Sequence, residues 1–276
     1  MNTERNPFYP VVVVRFLIGY ITYFGTTSLF GLLAAPLFIV LTPLPRVKCR
    51  MVHSLLRGYM AFLGRVWLPA LGLYRIAELP RPNALPAGPA IYVANHRGFM
   101  DGPLLLGLLP PVGVIVKSNY IRWLVPRLLA PHFDCIQLDP NSPSSLRAAV
   151  ARCRAVIAAG RSLLVFPEGT RAWSGRLGRF KSVAFRIAVE TGAPVVTVIT
   201  HSTHPFMAKV PGSLFPRGRN VYRLRVLDPE RVQPEDSADA LADRVYWRMA
   251  RELKELDRGT FWEVLPGGDH GTTRTV

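Results

Sequence analysis

The sequence predicts an α/β layered domain, a sheet with helices on its faces, preceded by an apolar helical element. Three observations carry that prediction. From Tyr74 to Thr200, short β-branched or apolar runs bounded by Gly and Pro alternate with longer amphipathic stretches, the pattern of strands joined by helical crossovers. Ahead of them, Phe16 to Thr42 carries no charged side chain. Two of the apolar runs, Ile91-Tyr92-Val93-Ala94 and Ser162-Leu163-Leu164-Val165, lead into loops crowded with polar residues, and in such folds the loops at one sheet edge carry the chemistry.

Composition narrows the function classes. A chain of 276 residues has room for one catalytic domain plus a helical appendage. Hydrophobic residues make up 49% and the mean hydropathy is +0.20, more apolar than an ordinary water-soluble enzyme needs, so contact with a membrane is expected. The excess of 34 Lys and Arg over 18 Asp and Glu gives a formal charge of +16, which suits anionic lipid head groups, an acidic carrier protein or nucleic acid. No zinc-finger spacing, recognition-helix pattern or aromatic RNA-binding motif accompanies it, so no nucleic-acid partner is expected. Cys49, Cys135 and Cys153 are too widely spaced for a disulfide framework or a zinc site and fit a reducing compartment. His201 and His204 have no Cys or carboxylate beside them in the sequence, so no metal is expected there.

Taken in order, the first helix covers the uncharged stretch, longer than the roughly 20 residues a spanning helix needs. It exceeds a signal-peptide core and shows no small-residue cleavage site near its end, so it is expected to be retained. Arg15 bounds it on one side and Arg46, Lys48 and Arg50 on the other, which places the body of the chain on the cytoplasmic side of the inner membrane by the positive-inside rule. Pro36, Pro43 and Pro45 interrupt its far end, so a full crossing and a re-entrant hairpin both stay open. Met51 to Leu73 reads as a second, amphipathic helix, with Leu55, Tyr59, Phe62 and Val66 recurring at helical steps and Arg57 and Arg65 on other sides. Residues 1–73 thus form a membrane-associated element, 74–265 the catalytic domain, and 266–276 a tail of disordered composition.

Within the domain, Tyr74–Leu79 reads as a strand, Leu104–Leu109 as a short buried helix, Val112–Lys117 as a strand and Tyr120–Ala130 as a helix packed in the core. Phe133–Leu138 is the next strand, followed by a helix over Ser142–Ala159 closed by Gly160, then a helix over Phe185–Glu190 and a strand over Val195–Thr200. Asn220–Leu227 alternates Val221, Arg223 and Arg225 with Tyr222, Leu224 and Val226, a strand whose basic face is suited to anionic lipid. Ala238–Leu256 is an amphipathic helix with Leu241, Val245, Met249 and Leu253 along the side that covers the core.

The chemistry is concentrated in His96 and Asp101. Residues five apart on a continuous helix are rotated by about 140°, so the pair would share no helical face. A turn through Gly98 and a helix entered at Asp101-Gly102-Pro103 would fold the carboxylate back onto the imidazole. A carboxylate on one ring nitrogen fixes the tautomer, and the other nitrogen can then take a proton from a hydroxyl near neutral pH. A satisfied structural His–Asp pair is the alternative. The second polar loop, Phe166-Pro167-Glu168-Gly169-Thr170-Arg171, tips the balance toward catalysis if both loops meet at one sheet edge, and Arg176, Arg179 and Lys181 follow it in a Gly- and Arg-rich stretch.

These residues carry a family resemblance. Asn95-His96-Arg97-Gly98-Phe99-Met100-Asp101 resembles the NHxxxxD signature, and Phe166 to Arg171 the FPEGTR signature, of the glycerolipid and lysophospholipid acyltransferases. The resemblance runs from about Ala90 to Val198. It implies a glycerolipid-acyltransferase-like layered sheet with an N-terminal two-helix membrane element. It also implies transfer of a fatty acyl chain from an acyl-CoA or acyl-carrier-protein thioester to a lysophospholipid hydroxyl, most simply that of 1-acyl-glycerol-3-phosphate. His96 would be the general base and Asp101 its orienter, with Glu168, Gly169 and Arg171 in the acceptor site; Asn95, Arg97 and Thr170 are further candidate binding residues of the two motifs, and Arg179 and Lys181 are cations that follow the second one. No metal and no cofactor beyond the donor are implied.

Three positions depart from the family pattern. Pro140 stands where the block between the motifs usually ends in an Arg that helps hold the acceptor phosphate; Thr197 interrupts a Pro-Val-Val-Pro-Val-like strand; and Phe180-Lys181-Ser182-Val183 replaces Phe-Lys-x-Gly. They keep open a different amphiphilic acceptor, a glycolipid or lipoamino acid, and a non-catalytic membrane-binding relative. No GxSxG elbow is present, which argues against a serine hydrolase.

Overall fold

A computed structural model describes residues 9–81, 84–119, 127, 129–172, 176–204, 206–210, 213–215 and 220–264. Among these described residues seven strands form one sheet: β1 (Arg75–Glu78), β2 (Ile91–Ala94), β3 (Val112–Lys117), β4 (Cys135–Leu138), β5 (Ser162–Val165), β6 (Val195–Ser202) and β7 (Val221–Val226), in the spatial order β1-β7-β6-β2-β5-β3-β4. Every neighbouring pair is parallel except β6 and β7. At the centre, Tyr92 of β2 lies beside Leu164 of β5 and Val196 of β6. All three strands are buried throughout, as strands covered on both faces must be.

Alternation along these strands divides the core in two. Ile91, Val93, Leu163 and Val195 face one cluster, closed by α4 (Pro143–Ala158), α5 (Val183–Thr191) and α6 (Ala238–Asp257). Tyr92, Ala94, Leu164 and Val196 face the other, closed by α1 (Tyr9–Val40), α2 (Pro45–Phe62) with its continuation, and α3 (Asp101–Leu108). A short helix α7 (Phe261–Val264) ends the described chain. The second cluster receives Phe16 and Tyr23 from α1 and Leu63 and Leu68 from beyond α2, so the N-terminal helices share a core with the sheet.

Local chemistry explains the element ends. Ser142 caps α4, its Oγ accepting the Ser145 amide at 3.2 Å, and Gly160 beyond the helix takes φ +74. Gly192 closes α5 at φ +69. α2 passes through a π-helical turn at Leu63–Trp67 and ends at Ala70. In the Leu-rich α3, Gly107 lets the α2 backbone approach: a Cβ there would lie 2.7 Å from the Ala61 nitrogen. Among the described residues α1 alone is long and apolar enough to cross a membrane, and Val14, Leu17, Ile21, Phe24, Leu29 and Leu33 on its outer side are exposed.

Most predicted elements are present within a residue or two of their expected ends, including the strand Val112–Lys117. The predicted helix over Tyr120–Ala130 lies mostly outside the described residues, as does the tail 266–276. On the basic face of β7, expected to suit lipid, Arg225 is paired within the protein. Arg225 is engaged by Glu78 at 2.6 Å and by Glu252 at 3.4 Å, because β7 lies inside the sheet between β1 and β6 with α6 nearby.

Candidate active site

The site is built at the carboxyl ends of the parallel strands, where helical crossovers leave the loops of β2, β5 and β6 side by side. The two motif loops are tied together through their backbones. The Ala172 amide donates to the His96 carbonyl at 2.8 Å, and the His96 amide donates to Glu168 Oε1 at 2.9 Å. The other oxygen of Glu168 accepts the Gly178 amide at 2.8 Å, so one buried carboxylate joins the first loop, the second loop and the Gly/Arg-rich stretch. Burial pushes the Glu168 pKa up to about 7, although the amides of Gly178 and His96 favour its ionised form.

His96 Nδ1 lies 3.0 Å from Asp101 Oδ2. The same oxygen accepts the amides of Arg97 and Gly98, each at 2.8 Å, so the turn before α3 fixes the carboxylate before the imidazole meets it. The turn is tight: a Cβ on Gly98 would come within 2.9 Å of the Phe206 carbonyl oxygen. The His96 side chain is 22% exposed and that of Asp101 4%. With Nδ1 committed to the carboxylate, Nε2 is the nitrogen left for a substrate proton. The ring also stacks on Phe166 of the second loop, 4.2 Å between centroids at 26°.

Two residues expected beside the acceptor turn inward instead. Asn95 is fully buried and holds β2 to β6: its Nδ2 donates to the Thr200 carbonyl and its Oδ1 accepts the Thr200 amide, both at 2.8 Å. The Arg97 guanidinium grips Asp257, at the end of α6, through two hydrogen bonds of 2.6 and 2.8 Å and lies 4.9 Å from the centre of the Trp262 ring. His201 Nε2 lies 3.3 Å from the same carboxylate. Burial alone would raise the pKa of Asp257, but the hydrogen bonds from His201 and Arg97 hold it at about 2. Burial pushes the His201 pKa down. Asp257 thus stands near His201 in space, a carboxylate the local sequence did not supply, yet among the described residues no three His, Cys, Asp or Glu side chains gather as a metal site.

The remaining expected residues lie on the second loop and after it. Gly169 takes φ +66, and the Lys181 side chain passes over it, its Cε 3.2 Å from where a Cβ would stand. Thr170 Oγ1 accepts from Lys209 Nζ at 2.6 Å, and Arg171 Nη1 donates to the Met207 carbonyl at 2.6 Å. Arg179 and Lys181 are exposed, while Trp173 and Gly175 lie outside the described residues. Pro140 follows β4 at the sheet edge, with β5 and β3 between that strand and β2. No local pattern in the chain marks Thr200, Asp257, Trp262, Met207 or Lys209, whose partners are distant in sequence.

The acyltransferase family model matches residues 77–201, which include both loops. Over 248 residues the chain is 28% identical to a 1-acyl-sn-glycerol-3-phosphate acyltransferase of Chlamydomonas reinhardtii, spanning 85% of this chain and 70% of that one. It is 32% identical over 155 residues to a chloroplastic 1-acyl-sn-glycerol-3-phosphate acyltransferase of Brassica napus, spanning 55% of this chain but only 45% of the plant protein. The crystal structure of the 1-acyl-sn-glycerophosphate acyltransferase PlsC from Thermotoga maritima has the same fold, with a TM-score of 0.68, 21% identity and coverage of 90% of this chain and 95% of that one. Sequence and fold agree around the two motif loops: residues 77–201 match the acyltransferase family, and the fold is that of the Thermotoga maritima structure.

Proposed function

We propose that the protein transfers a fatty acyl chain from an acyl-CoA or acyl-carrier-protein thioester to the free hydroxyl of a lysophospholipid, with lysophosphatidate as the acceptor. The observation that carries this reading is the His96–Asp101 pair, with one imidazole nitrogen held at 3.0 Å by a buried carboxylate and the basic loop of Arg171 tied alongside. The names of the relatives point to the same acceptor.

The steps follow from that pair. Nε2 of His96 takes the hydroxyl proton as the oxygen attacks the thioester carbonyl, and Asp101 stabilises the imidazolium. The tetrahedral oxyanion collapses, the carbon–sulfur bond breaks, and the departing thiolate takes the proton back from Nε2. Asn95, Arg97 and Glu168 serve as positioning residues in this scheme. The exposed apolar side of α1 keeps the enzyme on a membrane that supplies acceptor and receives product.

Purified protein in detergent, given labelled acyl donors and a panel of lysolipids, glycolipids and lipoamino acids, tests the reading. Lysophosphatidate is expected to be turned over fastest. His96→Ala and Asp101→Asn are expected to lower turnover by about 10²–10⁴-fold while vesicle binding persists; undiminished turnover in either variant removes the dyad. Pro140 favours a second reading, a different amphiphilic acceptor, and preferential turnover of a glycolipid or lipoamino acid would establish it.

A further inference from the structure

The segment after β6 is fastened to the second motif loop at two points, the Arg171 bond to the Met207 carbonyl and the Lys209 bond to the Thr170 hydroxyl, each 2.6 Å. Its backbone is bent to make both. Met207 has φ +47, the one positive φ outside glycine among the described residues, and residues held this way cluster at functional sites. The bend is held by its neighbours. The Met207 amide donates to the Ser213 carbonyl at 2.9 Å, Ser213 Oγ donates to the Ala208 carbonyl at 2.8 Å, and the Phe206 ring is packed against Phe16 and Tyr20 of α1. A strained turn so secured delivers the Lys209 ammonium to a fixed place beside Thr170.

That place already holds positive charge. Lys117 ends β3, Arg171 follows β5 and Lys209 follows β6, so three parallel strands bring their cations to the sheet edge that carries His96. Burial, and then the nearness of Arg171 and Lys117, push the Lys209 pKa down. Like charges gathered on separate elements raise the energy of the empty site and lower it when an anion arrives. A compact ammonium beside a guanidinium and a hydroxyl suits a phosphate group. Ala172, the residue after Arg171, donates its amide to the His96 carbonyl at 2.8 Å, so the loop that carries Arg171 is fastened to the loop that carries the base.

We propose that Lys209 is a substrate-binding residue which, with Arg171 and Lys117, holds the phosphate of the acceptor. This rests on the acyl-transfer reading above and names the group by which that site recognises its acceptor. Coenzyme A also carries phosphates, so the test separates acceptor from donor.

Steady-state kinetics of the full chain with lysophosphatidate and acyl-CoA, each varied in turn, read the two sources. For Lys209→Gln the KM for lysophosphatidate is expected to rise about tenfold or more, with kcat within about threefold and the KM for acyl-CoA unchanged; Lys209→Arg is expected to recover most of the loss. A Lys209→Gln variant with the parent's melting temperature and an unchanged KM for lysophosphatidate overturns the proposal, and so does a rise confined to acyl-CoA. Calorimetric titration with glycerol 3-phosphate reads the site without turnover. An affinity about tenfold weaker in Lys209→Gln supports the site and equal affinities overturn it, whereas a parent protein that binds glycerol 3-phosphate but transfers no acyl chain to lysophosphatidate counts against the acyl-transfer reading alone.

Discussion

Glu168 shows how a single side chain can connect the site to pH. Its two oxygens accept the His96 and Gly178 amides, and burial raises its pKa to about 7 from an ordinary 4.5. Between those values the folded chain keeps a proton that the unfolded chain has released. The stability linked to that proton is therefore full below the ordinary value and is lost as pH rises through about 7. Glu168→Gln cannot titrate, so the melting temperature of the variant minus that of the parent is expected to increase from about pH 5 to about pH 8; a difference that does not change with pH refutes the assignment. The glutamine also offers one acceptor to two amides, which lowers stability equally at both pH values and leaves the trend intact. His96, Asp101 and Glu168 stood out in the sequence because His96 and Glu168 lie on short loops directly after buried strands and Asp101 opens the helix that follows the first of them. That Glu168 would bind backbone amides was not legible, since those amides belong to residues 72 positions before it and 10 after it.

α6 and α7 act as a brace on the first motif loop. α6 packs Leu241, Val245, Met249 and Leu253 into the core as its periodicity predicts, and its last residue, Asp257, meets Arg97 while Trp262 from α7 covers the guanidinium. Both charges are nearly dry, with side chains 4% and 6% exposed. Removing Arg97 takes two charged hydrogen bonds from a buried carboxylate, so Arg97→Ala is expected to cost about 3–5 kcal/mol in urea unfolding, and replacing Arg97 and Asp257 together by Met and Leu is expected to cost less than the single change. Equal losses in the single and double variants would show that the pair itself is not what matters. The elements were legible because helix and strand periodicities are local. Their assembly was not: 160 residues separate Arg97 from Asp257, and only the return of the chain through β7 and α6 brings them together. The same reason hid Lys209, which lies in an irregular segment with no period to read, and explains why Arg225 of β7 suggested a lipid face when carboxylates of β1 and α6 meet it.

For the whole molecule, the question is how α1 meets the bilayer. By length and composition it can cross one. Its packing favours another arrangement, because the domain holds it near both ends: Phe16 and Tyr23 lie against Phe206 and Phe99, and Phe38 lies against His132 in a cluster with Val52 and Leu129. Phe16 and Phe38 are separated by roughly 33 Å along the helix, about the thickness of the hydrocarbon core. A perpendicular crossing would carry Phe206 at one end or His132 at the other into lipid along with the helix. A helix lying along the membrane surface instead places its whole outer stripe in one leaflet, beside the exposed Arg46, Arg50 and Arg57 of α2 that suit anionic head groups. It also places the His96–Asp101 turn near the surface, since Phe99 of that turn touches Tyr23 and Phe24 of α1. Ile21 and Leu33, 71% and 68% exposed, lie on that stripe and fill no core position. Changing both to Glu is expected to release the protein from vesicles containing phosphatidylglycerol, measured by flotation, with little change in melting temperature. Single cysteines introduced at Val14 and Ile39 are expected to be shielded from a membrane-impermeant reagent added outside sealed vesicles only as far as lipid depth dictates, and equally at both positions. Labelling of one end from outside and of the other only after the vesicles are opened would establish a crossing and end the surface arrangement.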